Sequence, residues 1–308
     1  MLANFFDKSK PINFIVILVF FFSYFSMALF RAFPMDEFTF NFVLEKVGFL
    51  LIFLLLFFLF NFIVSKNVLT LDNSYAFLIF VTLFGVFPEA FFDGKALIVN
   101  LLSLFSFRKI YSLRNSSTVY EKLFDASLWI GIIFLFEPFF GVFFIILYLA
   151  IFLFQNVNFR TILVPVLGFL VPLFLYFTYC FWIDKTSNFE QLFAWYTNYN
   201  FDLYNNSNFV IPLILFTVLI IVTLVVITPK VISISGKYRK NWILLFFHLL
   251  IATVFLLLLK TRNGSELMIL FFPISIIIAN WLQSIKSKII KNVLVLLLLI
   301  SPFILAII

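Results

Sequence analysis

The stretch VGFLLIFLLLFFLFNFIVS, residues 47–65, decides the fold class of this chain because it carries no charged residue from one end to the other. An apolar run of about twenty residues is long enough to cross the hydrocarbon core of a bilayer as an α-helix. Similar runs recur from Ile12 to the C-terminus. We therefore predict an all-α polytopic integral membrane protein in which residues 1–308 form a single transmembrane helical domain.

The composition supports this prediction. Hydrophobic residues make up 64% of the chain and charged residues 11%, and the mean hydropathy is +1.17. A soluble protein of this composition could not cover its surface with polar atoms. The single cysteine, Cys180, lies in an apolar run, which excludes a disulfide framework and a cysteine-based metal site. We expect neither a metal nor a cofactor.

The pattern predicts about eleven transmembrane helices, with short amphipathic helices on the outer face. The predicted spans are 12–33, 47–65, 74–92, 96–107, 124–137, 139–155, 161–183, 209–228, 241–259, 267–284 and 292–308. Most of the 21 basic residues fall in the segments on the cytoplasmic side when the N-terminus is cytoplasmic, as the positive-inside rule expects. We therefore predict a multi-pass protein of the bacterial inner (cytoplasmic) membrane with a cytoplasmic N-terminus. This charge distribution argues against nucleic acid as a partner.

Residues 124–155 allow two interpretations. Glu137-Pro138 interrupts an apolar segment that is short for two full crossings and too long for one. Two short or re-entrant helices buried among neighbours are one solution, and a single crossing is the other.

The predicted outer loop 184–208 combines two features. Its apolar residues Phe189, Leu192, Phe193 and Tyr196 have the spacing of a short helix lying in the membrane interface. Tyrosines, asparagines and Asp202 then follow. Rings beside amides suit a bound sugar, but an interfacial aromatic belt has the same composition, and both interpretations stay open.

Charged residues at a membrane boundary are often retained for function, and the predicted outer face collects three such clusters. They comprise Arg31 with Asp36 and Glu37; Glu89, Asp93 and Lys95; and Lys260, Arg262 and Glu266. Basic residues on the outer face run against the positive-inside tendency, and a bound anion such as a lipid phosphate would account for them. The alternatives are an exposed acidic loop, a solvated turn, and basic side chains that extend to lipid headgroups.

Three motifs in these clusters carry a resemblance to a known family. The pattern Arg31-x-x-Pro34-x-Asp36-Glu37 resembles the first outer loop of the GT-C glycosyltransferases, in the branch of protein mannosyltransferases and aminoarabinose transferases. The stretch from Pro88 to Lys95 is similar to their second-loop motif, and Lys260-x-Arg262 is similar to their late basic loop. Residues 108–129 also resemble an uncharacterised Bacteroidota family of polytopic membrane proteins.

The GT-C resemblance implies an inverting transfer of a sugar from a polyprenyl-phosphate donor to an acceptor on the outer face of the inner membrane. By this resemblance Asp36 is the general base and Glu37 orients it. The donor phosphate lies on Lys260 and Arg262, with Arg31 assisting. The resemblance also assigns substrate contacts to Glu89, Asp93, Lys95 and Glu266. The expected partners are the lipid-linked donor, membrane lipids and envelope proteins.

Two other functions fit the same pattern. One is a non-catalytic subunit of a cell-envelope membrane complex that uses its outer loops as a docking surface. The other is a lipid or solute transporter. Transporters usually keep ionisable residues at mid-membrane, whereas the charges of this chain cluster at the predicted helix ends.

Overall fold

The structure is a computed structural model, and it describes residues 2–34, 39–114, 118–154, 157–194, 197, 199–233 and 236–307. Every regular element among these residues is a helix. The α-helices are α1 (Leu2–Phe6), α2 (Pro11–Ala32), α3 (Phe40–Asn67), α4 (Tyr75–Val86), α5 (Gly94–Ser112), α6 (Val119–Phe136), α7 (Phe144–Leu153), α8 (Phe159–Trp182), α9 (Thr186–Glu190), α10 (Ser207–Ser233), α11 (Lys237–Leu258), α12 (Met268–Ser284) and α13 (Lys288–Ile307).

The helical membrane protein predicted from the sequence is confirmed, while the count of eleven spans is not. Within the described ranges, seven helices are long and apolar enough to cross a bilayer, namely α2, α3, α8, α10, α11, α12 and α13. Each of the other four predicted spans also contains a helix. However, α4 and α7 are short, and α5 and α6 each carry three charged residues.

The segment around Glu137 forms two helices. Helix α6 ends where Glu137 adopts an extended conformation, and Pro138 then opens a 3-10 helix, Pro138–Phe143, that leads into α7. In the region of the predicted short interfacial helix, the structure has α9 and the 3-10 turn Gln191–Phe193, which contain Phe189, Leu192 and Phe193, whereas Tyr196 lies outside the described residues.

The chain divides into two compact units. The first unit contains Met1–Leu97, Asn200–Tyr238 and Arg262–Ile308, and the second contains Ile98–Tyr199 and Arg239–Thr261. The single domain predicted from the sequence stays a prediction.

The first unit is built around α4. All twelve residues of this helix are buried, and α2, α3, α12 and α13 surround it. Aromatic rings fill the interface: Phe80 stacks on Phe60 at 3.9 Å between centroids, and Phe84 meets Phe271 edge-on at 4.9 Å. Gly85 permits the close approach, because a Cβ there would lie 2.8 Å from the Tyr24 ring. Twelve helical residues span about 18 Å, far short of a bilayer core of about 30 Å.

Contacts between helix termini define two ends of the first unit. At one end, the start of α2 meets the start of α4, where the Asn13 side-chain amide donates to Ser74 Oγ. At the other end, residues from the ends of α2, α4 and α13 and from the start of α10 line one cavity. We call this second region the cavity end of the first unit.

Close helix packing also organises the second unit. Gly131 of α6 lies against Pro172 and the backbone of Phe169 in α8, and Gly168 of α8 lies against Ser127 of α6. Small residues let two membrane helices approach closely. His248 of α11 is buried in this unit, where its ring shares a hydrogen bond of 3.1 Å with the Tyr111 hydroxyl.

The membrane orientation can be tested with single cysteines at the two ends of the first unit. In a Cys180→Ala background, Ser207→Cys lies at the cavity end and Ser287→Cys at the opposite end, and both positions are exposed. We expect a membrane-impermeant maleimide added to the periplasmic side to label the cysteine at 207 and to reach 287 only after permeabilisation. Both must react in detergent as a control. The reverse pattern would overturn the predicted topology and any outer-face function.

Candidate functional site

The cavity at the cavity end has a volume of about 260 Å³ and lies wholly within the first unit. Most of its wall is apolar and comes from α2, α4 and α13. Three polar residues interrupt this wall: Arg31 near the end of α2, Glu89 after α4, and Asn208 at the start of α10. A mostly apolar cavity with a few convergent polar groups is the usual form of a small-molecule site.

Glu89 reaches this position because α4 stops early. Pro88 has no backbone N–H and disfavours a helical conformation in the residue before it, so the helix ends at Val86. Pro88 then opens the 3-10 turn Pro88–Phe91, and α5 begins at Gly94. Glu89 therefore sits in a break between two helices, beyond the end of the buried α4.

The Glu89 carboxyl lies in an unusual electrostatic environment. Its Oε2 atom is buried and has no hydrogen-bond partner among the described residues. Burial raises the pKa of Glu89, and the nearby Glu266 raises it further, against the lowering effects of its own backbone N–H and of Arg31. Burial and a like charge both disfavour ionisation. Carboxyls whose pKa is shifted by burial and by a neighbouring charge are common at functional sites.

Asp93, four residues further on, is the opposite case. Its Oδ2 accepts hydrogen bonds of 2.7 Å from both Asn263 Nδ2 and Ser265 Oγ, and its Oδ1 accepts one of 2.9 Å from the Ala96 N–H. Burial alone would raise the pKa of Asp93, but these hydrogen bonds favour the charged form and lower it overall. The carboxylate thus fastens the segment between α11 and α12 to the break after α4.

That segment depends on Gly264. Its φ of +92° lies in the left-handed region, which side chains other than glycine rarely adopt. A Cβ at this position would also lie 2.7 Å from the Phe209 ring and 3.3 Å from Glu89 Cγ. Glycine therefore allows the backbone to pack directly against Glu89.

A second layer of polar contacts surrounds Glu266. Its Oε1 accepts a hydrogen bond of 2.5 Å from the Tyr204 hydroxyl, and its Oε2 accepts one of 3.1 Å from the Asn263 N–H. Burial raises the pKa of Tyr204, and Glu266 raises it further, so the phenol remains the donor. The guanidinium of Arg262 lies 4.2 Å from the centre of the Phe201 ring. The Arg262 side chain thus lies against an aromatic face of the first unit.

The structure brings together some of the residues that the sequence singled out. Arg31 and Glu89 line the cavity, while Asp93 and Glu266 form hydrogen bonds with the segment that packs against Glu89. Lys260 belongs to the second unit, where its Nζ donates to the Ala194 carbonyl at 2.9 Å. Lys95 is exposed at the start of α5. Asp36 and Glu37 lie outside the described residues.

Other residues of the site were not among the predicted site residues. Asn208, Asn263 and Ser265 have no periodic signal, and the Asn-Gly pair at 263–264 indicates only a turn. Lys46 is a further case: it is 7% exposed and pairs with Glu45 at 2.8 Å. Its Nζ lies 5.0–5.8 Å from the centres of four rings, those of Phe33, Phe42, Phe49 and Phe92. Since Phe92 lines the cavity, Lys46 supports one of its walls.

Fold and site together define the class of protein: a polytopic helical membrane protein that gathers acidic and basic side chains at one end of a helical unit. A family model matches residues 1–307, so the chain belongs to that family, which is described as a family of unknown function (DUF6427). No curated protein and no solved structure matches the chain. The resemblance to the GT-C glycosyltransferases stays a prediction.

The contrast between the two carboxyls gives a paired prediction for stability. Asp93→Asn should destabilise the protein near neutral pH by about 2 kcal/mol, because hydrogen bonds to a charged acceptor are lost. The pKa of Asp93 is lowered in the folded state. Its contribution is therefore present above the ordinary carboxyl range and disappears as the pH falls through that lowered pKa.

Glu89→Gln should behave in the opposite way. The pKa of Glu89 is raised above its ordinary value of 4.5 in the folded state. The wild type therefore loses stability as the pH rises from 4.5 through the raised, folded-state pKa. The glutamine variant escapes this loss and gains stability relative to wild type on going from acid to neutral pH. Thermal unfolding in detergent at both pH values measures the difference, with the exposed Asp202→Asn as control. Shifts of the same sign for both variants would contradict this account.

Proposed function

We propose that the cavity end of the first unit is a site for a polyprenyl-phosphate-linked sugar, and that the protein transfers this sugar to an acceptor on the outer face of the bacterial inner membrane. The observation that carries the proposal is the convergence of three separate stretches of sequence: Arg31 and Glu89 line one cavity, and the segment from Asn263 to Glu266 packs against Glu89. Convergence of this kind is typical of a binding site and not of scattered surface charges.

The proposed chemistry assigns different tasks to acidic and basic groups. Arg31 offers the donor phosphate a planar guanidinium that can bind two oxygens at once. Charge develops on that phosphate as the glycosidic bond breaks, so the same contact strengthens in the transition state. Asp36, five residues from Arg31 along the chain, removes the proton from the acceptor hydroxyl. Glu37 orients Asp36, and attack from the face opposite the phosphate inverts the sugar centre.

The contacts of the described residues change which basic side chain we propose as the main contact for the donor phosphate. Lys260 is engaged with the Ala194 carbonyl in the second unit, and Arg262 lies on the Phe201 ring. Arg31 is the basic residue that lines the cavity. We therefore give Arg31 the main phosphate contact, with Arg262 as a secondary one.

The test uses the full chain in proteoliposomes with a polyprenyl-phosphate sugar, following both donor binding and release of polyprenyl phosphate. Asp36→Asn should lower turnover about 100- to 10,000-fold while donor binding persists, because proton transfer occurs only in the reaction. Arg31→Gln should weaken donor binding and turnover together, because the phosphate contact exists before the reaction.

Asp184→Asn is the matched control, since Asp184 is an exposed carboxylate on the same predicted face. It should leave both measurements unchanged. Normal turnover in both Asp36→Asn and Arg31→Gln would contradict the glycosyltransferase and would favour a non-catalytic subunit of an envelope complex.

A second candidate, a transporter of a lipid or other solute, is favoured by one specific observation. Helix α4 is short, fully buried and followed by a break that holds the carboxyl of Glu89. Discontinuous helices that end beside a charged group are typical of transporter binding sites. The same proteoliposomes distinguish the two functions: movement of intact donor from one leaflet to the other, without release of polyprenyl phosphate, would favour transport.

A further inference from the structure

A second cavity of the first unit lies in an apolar seam between α10, α12 and α13. Its volume is about 100 Å³. It is lined mainly by aliphatic side chains and Trp281, with the hydroxyl of Ser301 as its one side-chain oxygen. That hydroxyl donates a 2.8 Å hydrogen bond to the Leu298 carbonyl within α13, so it needs no hydrogen-bond acceptor from a ligand. The seam therefore suits a hydrocarbon group.

The residues that line this seam continue along α13 and α10 into those that line the cavity with Arg31 and Glu89. On α13, Ser301 lines the apolar cavity and the next residue, Pro302, lines the polar one. On α10, Leu215 lines the apolar cavity, while Asn208 lines the polar one about 10 Å away along the helix axis. Together the two cavities follow α13 from Ala306 to Leu294, a distance of about 18 Å.

The seam also opens toward the surroundings of the unit. Leu215 is 43% exposed and Leu297 is 54% exposed, although both line the apolar cavity. Only 22% of the apolar window of α10, and of that of α13, is buried within the protein. An amphiphile could therefore enter sideways from the bilayer without leaving it.

We infer that the seam between α10, α12 and α13 holds the hydrocarbon chain of an amphiphile whose anionic phosphate headgroup lies in the neighbouring cavity beside Arg31. The inference deepens the proposed function, on which it rests for the phosphate headgroup, by assigning the place of the lipid chain. Polar and apolar parts of the site meet in the same order as the headgroup and chain of such a ligand. A transmembrane helix, which is about 10–12 Å wide, is too wide for a space of this size, whereas a few methylene groups of a narrow hydrocarbon chain can occupy it.

The experiment uses the full chain in phosphatidylcholine nanodiscs and two photoactivatable probes with a mid-chain diazirine. The first is hexadecyl phosphate and the second is the neutral hexadecanol. We expect the phosphate probe to label residues of α10 and α13 that line the seam, and unlabelled hexadecyl phosphate to compete. Labelling by hexadecanol should be weaker and should not saturate.

A matched pair of variants on α13 tests the location. Leu297→Trp fills the seam and should reduce labelling about tenfold, which corresponds to about 1.4 kcal/mol of binding free energy. Leu296→Trp adds the same bulk one residue away, at a 42% exposed position that does not line the seam, and should label like wild type. Leu215→Trp, from the opposite wall on α10, should repeat the effect of Leu297→Trp. Size-exclusion profiles establish that each variant is folded.

Each outcome decides between the proposals. Equal labelling in Leu297→Trp and wild type, or labelling that does not saturate, would overturn the inferred chain site and leave bulk lipid in the seam. Saturable labelling lost in both seam variants would support the site even if the wild type transfers no sugar, in which case only the proposed function fails. If Leu297→Trp abolishes labelling of the seam but the variant still transfers sugar, the donor chain does not need the seam. That result would overturn the inference and leave the proposed function in place.

Discussion

The first unit depends on the complete burial of one helix that is too short to cross a membrane. Because α4 ends at Val86 inside the protein, its last carbonyl groups must find partners there and cannot rely on water. The break satisfies part of this need locally: the Phe87 N–H donates to the Leu83 carbonyl, and the Ala90 N–H donates to the Phe87 carbonyl. The large aromatic interface around Phe80 and Phe84 stabilises the buried helix. Glu89, in the turn just after α4, is therefore held within the protein near the cavity end of the long helices.

That position explains why two nearby carboxyls differ. Glu89 lies in the break, where burial and the nearby Glu266 raise its pKa against the lowering effect of Arg31. Asp93 lies at the start of α5 and accepts three hydrogen bonds, so its pKa is lowered despite partial burial. The Glu89 carboxyl lines the cavity, whereas the Asp93 carboxylate holds the segment between α11 and α12. Neighbouring carboxyls whose pKa values are shifted in opposite directions are characteristic of functional sites.

Polarity also changes along the seam of α10 and α13. Near Pro302 the wall faces Arg31, Glu89 and Asn208, and from Ser301 onward it is aliphatic. A ligand that matches both parts must itself be amphiphilic, since burying a charged headgroup in the aliphatic part would be costly. This requirement holds equally for an enzyme acting on a lipid-linked donor and for a transporter of lipid.

The sequence by itself determined the class of the protein and the positions of its helices. Apolar length is a local property, so the predicted spans 12–33 and 161–183 differ little from α2, Pro11–Ala32, and α8, Phe159–Trp182. The charged clusters were also visible, because charges are rare in so apolar a chain. Only the tertiary structure decided that α4 is enclosed, that Asn263 and Ser265 reach Asp93 across about 170 residues, and that Lys260 bonds to Ala194. The physical reason is that hydropathy is a local property that identifies the segments buried in the membrane. The hydrogen-bond partner of a polar group depends instead on which helix ends pack together.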